Sequence, residues 1–214
     1  EDDASSPADA AADVPGTHKV VADGESGPPA FGLDEEAETA AAVPPELADG
    51  EDDLLAGPAA LTAEILIEDD RWRTLDPLDA ADAVLHAVVA RGLTPTGTAR
   101  SEIVFTTDEA IRSLNGTFRG KDAPTNVLAF PSGEPPAADG TRELGSVALA
   151  YGVMMKEAAE RGIPIGHHVT HLTLHGLLHL LGYDHEEEAE RLAMEAIEVE
   201  ILAGLGIPDP YLGS

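Results

Sequence analysis

Six of the eight histidines in this 214-residue chain fall between His167 and His185. The densest stretch reads His175-Gly-Leu-Leu-His179-Leu-Leu-Gly-Tyr-Asp-His185. On a helix, His175 and His179 project from one face a single turn apart. Gly182 lets the chain turn at the helix end, and the returning segment presents His185 as a third nitrogen. Three imidazoles around one zinc ion leave a fourth position open, the arrangement of a catalytic site rather than a closed structural one. Ordinary core or surface histidines are the bland alternative, but several imidazoles on an apolar face without an ion would leave polar groups unsatisfied. His171, one turn before His175 on the same face, reads either as a hydrogen-bond partner of a ligand or as a packed core histidine. Asp184, beside the third ligand, could orient an imidazole or cap the next helix. His167 and His168 read as solvent-facing or helix-entry residues.

The same histidine spacing occurs in the metzincin peptidases, whose general-base Glu directly follows the first His. Here that position is Gly176, which argues against proteolysis. A second set of polar residues lies in Leu114-Asn-Gly-Thr-Phe-Arg119-Gly-Lys121-Asp-Ala-Pro-Thr-Asn126-Val-Leu-Ala-Phe130. The planar fork of Arg119 matches phosphate oxygens, and the glycine between it and Lys121 permits close backbone approach. An exposed turn with ordinary surface charges is the competing reading.

These groups need elements to hold them. Ala63 to Glu68 and Glu102 to Thr106 read as strands, as do Asn126 to Phe130 and Gly145 to Ala150. Pro77 to Arg91 has helical content, with Asp76 as N-cap and Gly92 just past its end. Asp108 to Phe118, capped by Thr107 or Asp108, reads as a helix, and so do Tyr151 to Arg161, Gly166 to Leu181 and Glu186 to Ala203. Strands and helices thus mix over about 150 residues, which predicts one α+β domain over residues 59–214. Its expected form is a small mixed four-stranded sheet packed by about five helices.

Charge is far out of balance, with 41 acidic against 12 basic residues. Residues 1–60 hold 16 of the acidic groups against Lys19 alone, a net of −15, and the remainder nets −14. With one aromatic residue, Phe31, residues 1–58 are an acidic low-complexity extension expected to be disordered. Absence of cysteine rules out disulfides and thiolate ligands. No apolar run is long enough to span a bilayer, and the acidic start resembles neither a secretory signal nor a transit peptide; a cytoplasmic protein is expected. So acidic a chain is a poor nonspecific nucleic-acid binder, and any RNA substrate must find its positive charge locally.

Taken together, HGLLHLLGYDH and LNGTFRGKDAPTNVLAFP closely resemble the two motifs of the YbeY-type endoribonucleases, also called ribosomal RNA maturation factors. Leu144-Gly145 before a strand, and the acidic last helix running into Gly-x-x-Asp-Pro-Tyr, fit as well, so the resemblance covers roughly residues 63–211. It implies a single-strand-specific metallo-endoribonuclease of ribosomal RNA processing and ribosome quality control. One Zn2+ per chain would sit on His175, His179 and His185, and Arg119 would be important for activity. Lys121 and Arg142 would help to hold the RNA. The implied partners are ribosomal RNA of the small-subunit precursor, with ribosomal proteins or an assembly GTPase, and neither membrane nor DNA. Two positions depart from the family pattern: Ser146 stands where Asp is usual, and Ala129 where Ser is usual. A noncatalytic zinc-containing ribosome-assembly factor is the alternative, and a zinc peptidase the third reading.

Overall fold

A computed structural model describes residues 21–23, 60–185 and 187–212. Apart from Val21–Asp23, the extension expected to be disordered lies outside these residues. The chain runs β1 (Val21–Asp23), β2 (Ala60–Ile67), a 3-10 turn (Asp70–Leu75), α1 (Pro77–Ala90), β3 (Thr98–Thr106), α2 (Asp108–Arg119) and β4 (Val127–Pro131). It continues with β5 (Arg142–Ala150), α3 (Tyr151–Arg161), α4 (Ile165–Leu180) and α5 (Glu188–Gly204). The sheet order is β1-β4-β5-β3-β2. Strands β2, β3 and β5 run parallel, while β4 is antiparallel to both β5 and β1. The mixed sheet of four strands expected from sequence is therefore present, with the three-residue β1 added along the β4 edge. Among the described residues, no helix is long and apolar enough to cross a membrane.

Alternation along the strands divides the core between two faces. Ile103, Phe105, Val147 and Leu149 pack with residues of α1, α4 and α5 in the main core. Their neighbours Val104, Ala148 and Ala150 pack with Leu128 and with Ile111 of α2 on the other side. Helix α4 lies so close to the main face that a Cβ on Gly176 would stand 2.5 Å from Val147 Cγ1 and 3.3 Å from Val127 Cγ2. Gly145 is fixed by its backbone instead: it has φ +118, and a Cβ there would run into the Phe130 carbonyl oxygen. It follows a register shift in the β3–β5 ladder, where Arg100 pairs with Glu143 but Ser101 with Gly145.

Sequence reasoning placed the helix starts well but assigned two caps incompletely. Thr107 caps α2, its side chain accepting from the Ala110 amide at 3.2 Å. Asp108 serves the next helix along, accepting from the amides of Gly152 at 2.7 Å and Val153 at 3.1 Å. Asp76 precedes α1 as expected, yet it sits in the left-handed region without a side-chain capping bond. The 3-10 turn around Trp72 escaped notice, because Asp-Arg-Trp-Arg reads as a polar loop. Trp72 is nonetheless fully buried against Phe105 and Tyr151, donating from Nε1 to the Thr106 carbonyl at 2.9 Å.

Candidate metal centre

Helix α4 is buried along almost its whole length, and His168, His171, His175 and His179 repeat on it at helical spacing. After Leu180 the chain turns at Gly182, which has φ +93, and the Tyr183 amide bonds the Leu178 carbonyl at 3.0 Å. This turn does two things at once. It aims the Tyr183 carbonyl at His179 Nδ1, 2.9 Å away, and it brings His185 back to the helix. The three rings then cluster, with centroids 4.6 Å apart for His175–His179, 5.0 Å for His179–His185 and 5.6 Å for His175–His185. One ring nitrogen from each lies within 4.8 Å of the others.

The protons on these rings follow from their neighbours. A carbonyl can only accept, so His179 Nδ1 must carry the hydrogen. His175 Nδ1 faces Glu198 Oε1 at 2.6 Å. Glu198 is completely buried, which works to raise its pKa, but hydrogen bonds from His171 and His175 outweigh burial and hold it at about 2. An ionised carboxylate also accepts, so His175 Nδ1 is the donor. With Nδ1 so occupied, a neutral ring presents its lone pair at Nε2, and the two Nε2 atoms face each other at 2.9 Å. Two bare acceptors at that distance repel unless a cation lies between or beside them. The donor set fits a metal ion, and neutral imidazoles held by outer hydrogen bonds are what zinc takes.

Glu198 is the residue that sequence reasoning missed. Its Oε2 lies 3.6 Å from His171 Nε2 and accepts a hydrogen bond from the Tyr211 hydroxyl, so the chain's last described segment closes over it. His171 thus reaches the centre through Glu198. The same atoms, His171, His175 and Glu198, could themselves hold an ion, but the Nδ1–Oε1 bond already occupies them. A signal was available. Met194, Glu198, Ile201 and Leu202 are the buried residues of α5, so a carboxylate stands at helical spacing within an apolar stripe.

The centre opens into a cleft of about 230 Å³ whose walls include Asn126, Glu157, Arg161, His168 and Arg191. His168 corrects the solvent-facing reading: it is 1% exposed and contacts Glu157 Oε2 from Nε2 at 2.7 Å. Spaced three residues before His171, it shares the buried face of α4. His167 is partly buried. Asp184 accepts from the His185 amide at 2.8 Å. Arg119 is the last residue of α2, partly buried, with Gly120 beyond it in the left-handed conformation. Lys121 is exposed in the following loop and Arg142 is exposed at the start of β5. These three sit on other elements than the cleft's own guanidinium groups, Arg161 and Arg191. Of the two departures from the family pattern, Ser146 neighbours Val147 and so points away from α4, into a depression shared with Glu64, Glu102 and Glu143. Ala129 is buried in the main core. Neither lines the cleft.

A family model described as endoribonuclease YbeY matches residues 70–206. The endoribonuclease YbeY of Bradyrhizobium sp. strain BTAi1 is 47% identical over 157 residues, covering 70% of this chain and 92% of its own length. That of Nitrobacter hamburgensis is 46% identical over 162 residues, covering 72% and 84%. The solution structure of TM1509 from Thermotoga maritima is 23% identical, with a TM-score of 0.46 over 70% of this chain and 98% of that one. With the family model spanning more than half of its residues and such relatives matched over most of their length, the chain belongs to the endoribonuclease YbeY family.

Proposed function

We propose that this chain is a zinc-dependent endoribonuclease of the cytoplasm that cuts single-stranded RNA during ribosomal RNA maturation and quality control. The observation that carries this reading is the pair of imidazole Nε2 atoms facing each other at 2.9 Å, each ring locked by an acceptor at Nδ1. His175, His179 and His185 would hold the ion. Bound there, zinc supplies Lewis-acid chemistry and acidifies water. The names of the relatives, endoribonuclease YbeY, give the substrate class.

The rest falls to the chain's own side chains. Glu198 fixes the orientation of His175, and the Tyr183 carbonyl that of His179. Arg119 stabilises charge on the phosphate and Lys121, two residues on, helps to hold the RNA backbone; Arg142 opens β5 at the end opposite Asn126, where it meets only a more distant stretch of the RNA. Gly176 weighs against a peptidase in a second way, now structural. Its Cα faces Val147 and Val127, so a glutamate there would point into the sheet rather than at the metal.

The test is incubation of zinc-quantified protein with a single-stranded ribosomal RNA fragment, beside His179→Ala prepared identically. Cleavage by the native protein alone supports the endoribonuclease. Equal cleavage by both indicates contamination. No cleavage by the zinc-loaded native protein, together with binding to small-subunit particles, would favour a noncatalytic assembly factor acting with ribosomal proteins or an assembly GTPase. Arg119→Ala should lower turnover and keep its zinc; loss of zinc along with activity would sink the role given to Arg119.

A further inference from the structure

Three carboxylates line the cleft: Glu157, Glu195 and Glu198. Their surroundings differ. Glu198 is sealed beneath His175, His171 and Tyr211, with no exposed surface. Glu195 is bound by the Arg191 guanidinium at 2.6 Å. Glu157, on α3, keeps 24% of its side chain exposed and has no arginine bonded to it among the described residues. Its hydrogen-bond partners are His168 and Asn126, and the charge of Arg161, one turn along α3, also favours its ionised form. His168 Nε2 lies 2.7 Å from Oε2, and Asn126 Nδ2 lies 3.1 Å from Oε2 and 3.3 Å from Oε1. Asn126 is itself fixed, its Oδ1 accepting from the Val127 amide at 2.7 Å. His168 Nδ1 is buried with no acceptor among the described residues. A hydrogen placed there would be stranded at considerable cost. His168 therefore donates from Nε2 and leaves the negative charge on Glu157.

A negative charge in a cleft that must admit a polyanion opposes binding, so its presence asks for a chemical reason. Resting on the endoribonuclease reading above, we propose that Glu157 is the general base of the reaction, taking the proton from the oxygen that attacks the phosphorus. That oxygen belongs to water or to the RNA 2′-hydroxyl. As its O–H bond breaks, the proton moves to a Glu157 carboxylate oxygen and the new P–O bond forms. The bond to the leaving ribose oxygen breaks, and that oxygen takes a proton from solvent. Oε1, held by one long bond from Asn126, is the oxygen with room to accept. The proposal also answers the question that Gly176 raises. Here the residue after the first ligand is pressed against the sheet and can carry no base, and α3 brings a carboxylate to the same cleft from the neighbouring helix. Burial works to raise the pKa of Glu157, but the bonds from His168 and Asn126 outweigh it and leave the carboxyl below its ordinary range. The group is thus ionised, as a base must be before the proton arrives.

The experiment compares zinc-loaded wild type with Glu157→Gln, measuring single-turnover cleavage of a single-stranded RNA, RNA affinity by fluorescence anisotropy and zinc content. The substitution keeps the side chain's shape and removes its ability to take a proton. Single-turnover cleavage should fall about 100-fold or more, in the range of general-base removal, while zinc content holds and RNA binds as well or better. A rate within threefold of wild type overturns the proposal, and so does loss of zinc, which would make Glu157 a support of the metal site. If Glu157→Gln does not fold, Glu157→Ala with added formate decides: saturable recovery of cleavage supports the base, and its absence overturns it. Wild-type protein that cuts no RNA removes the endoribonuclease reading and this proposal with it, whereas active wild type beside equally active Glu157→Gln removes the base alone.

Discussion

At the scale of single residues, the metal centre depends on hydrogens held at two Nδ1 atoms, and Glu198 controls one of them. Glu198→Gln presents either an amide oxygen or an amide nitrogen to His175, and loses the charge that fixes the tautomer. Outer partners of metal-bound histidines typically contribute 10–100-fold in affinity, so zinc affinity measured against a competing chelator should weaken by about that factor. Glu198 also gives the metal-free protein a pH signature. Its folded value of about 2 lies below the ordinary 4.5. A depressed carboxyl adds stability that is complete above the unfolded value and is lost as pH falls through the folded one. Thermal melts of the metal-free chain should therefore lose stability between about pH 4.5 and 2, and Glu198→Gln should be flatter across that window. Gly176→Ala tests packing instead: with Val147 Cγ1 at 2.5 Å, either the helix or the valine must shift. Denaturant unfolding should show a loss of about 1–3 kcal/mol. The three ligands were legible in the sequence because an i, i+4 pair followed by a glycine turn is a local pattern. For Glu198 the apolar stripe of α5 marked a buried carboxylate but not its partner, and Glu157 and Asn126 carried no such mark, because all three reach the site across α5, α3 and the approach to β4 and no local spacing encodes that convergence.

At the scale of elements, helix ends were legible wherever a capping residue or glycine marks them. Thr107 before α2, and Gly120, Gly162 and Gly182 after α2, α3 and α4, all stand at the boundaries their chemistry suggests. Strand starts were less so. Strand β3 begins at Thr98 rather than Glu102, and β5 at Arg142 rather than Gly145. Polar residues open both strands, and Arg100 and Glu143 pair there as Cα partners with their side chains exposed. The alternating pattern of a half-buried strand is hidden when its outward residues are charged and its inward ones small, as with Ala99 and Ser101. The link from α2 to α3 was also invisible from sequence, since Asp108 reads as part of its own helix start. It holds the first turn of the helix that carries Glu157. Asp108→Ala should therefore cost about 1 kcal/mol in chemical denaturation, a typical loss for a capping carboxylate. Zinc binding should survive, because α4 and the turn to His185 do not depend on that cap.

At the scale of the molecule, a formal net charge of −29 must be reconciled with an RNA substrate. Long-range repulsion and short-range attraction respond to salt in opposite ways, so the two can be separated. The Debye length is about 10 Å at 0.1 M salt, and exposed charges farther apart than that cease to feel one another. Raising salt from low values should therefore speed association by screening the acidic surface. Each phosphate neutralised on single-stranded RNA contributes roughly −0.7 to the slope of log affinity against log salt. Arg161 and Arg191 line the cleft, and Arg191 is already shared between Glu188 and Glu195. With one or two phosphates engaged there, the cleft's own share of the slope should be only about −0.7 to −1.4, on the same counting of roughly −0.7 per contact. Stopped-flow association and equilibrium anisotropy across a salt series read both quantities. A rising association rate with a shallow affinity slope fits RNA recognised locally at the cleft. A steeper slope would measure the share of binding carried outside the cleft, where the proposed contacts of Arg119, Lys121 and Arg142 lie, and substituting those three should then return it to the cleft's own value.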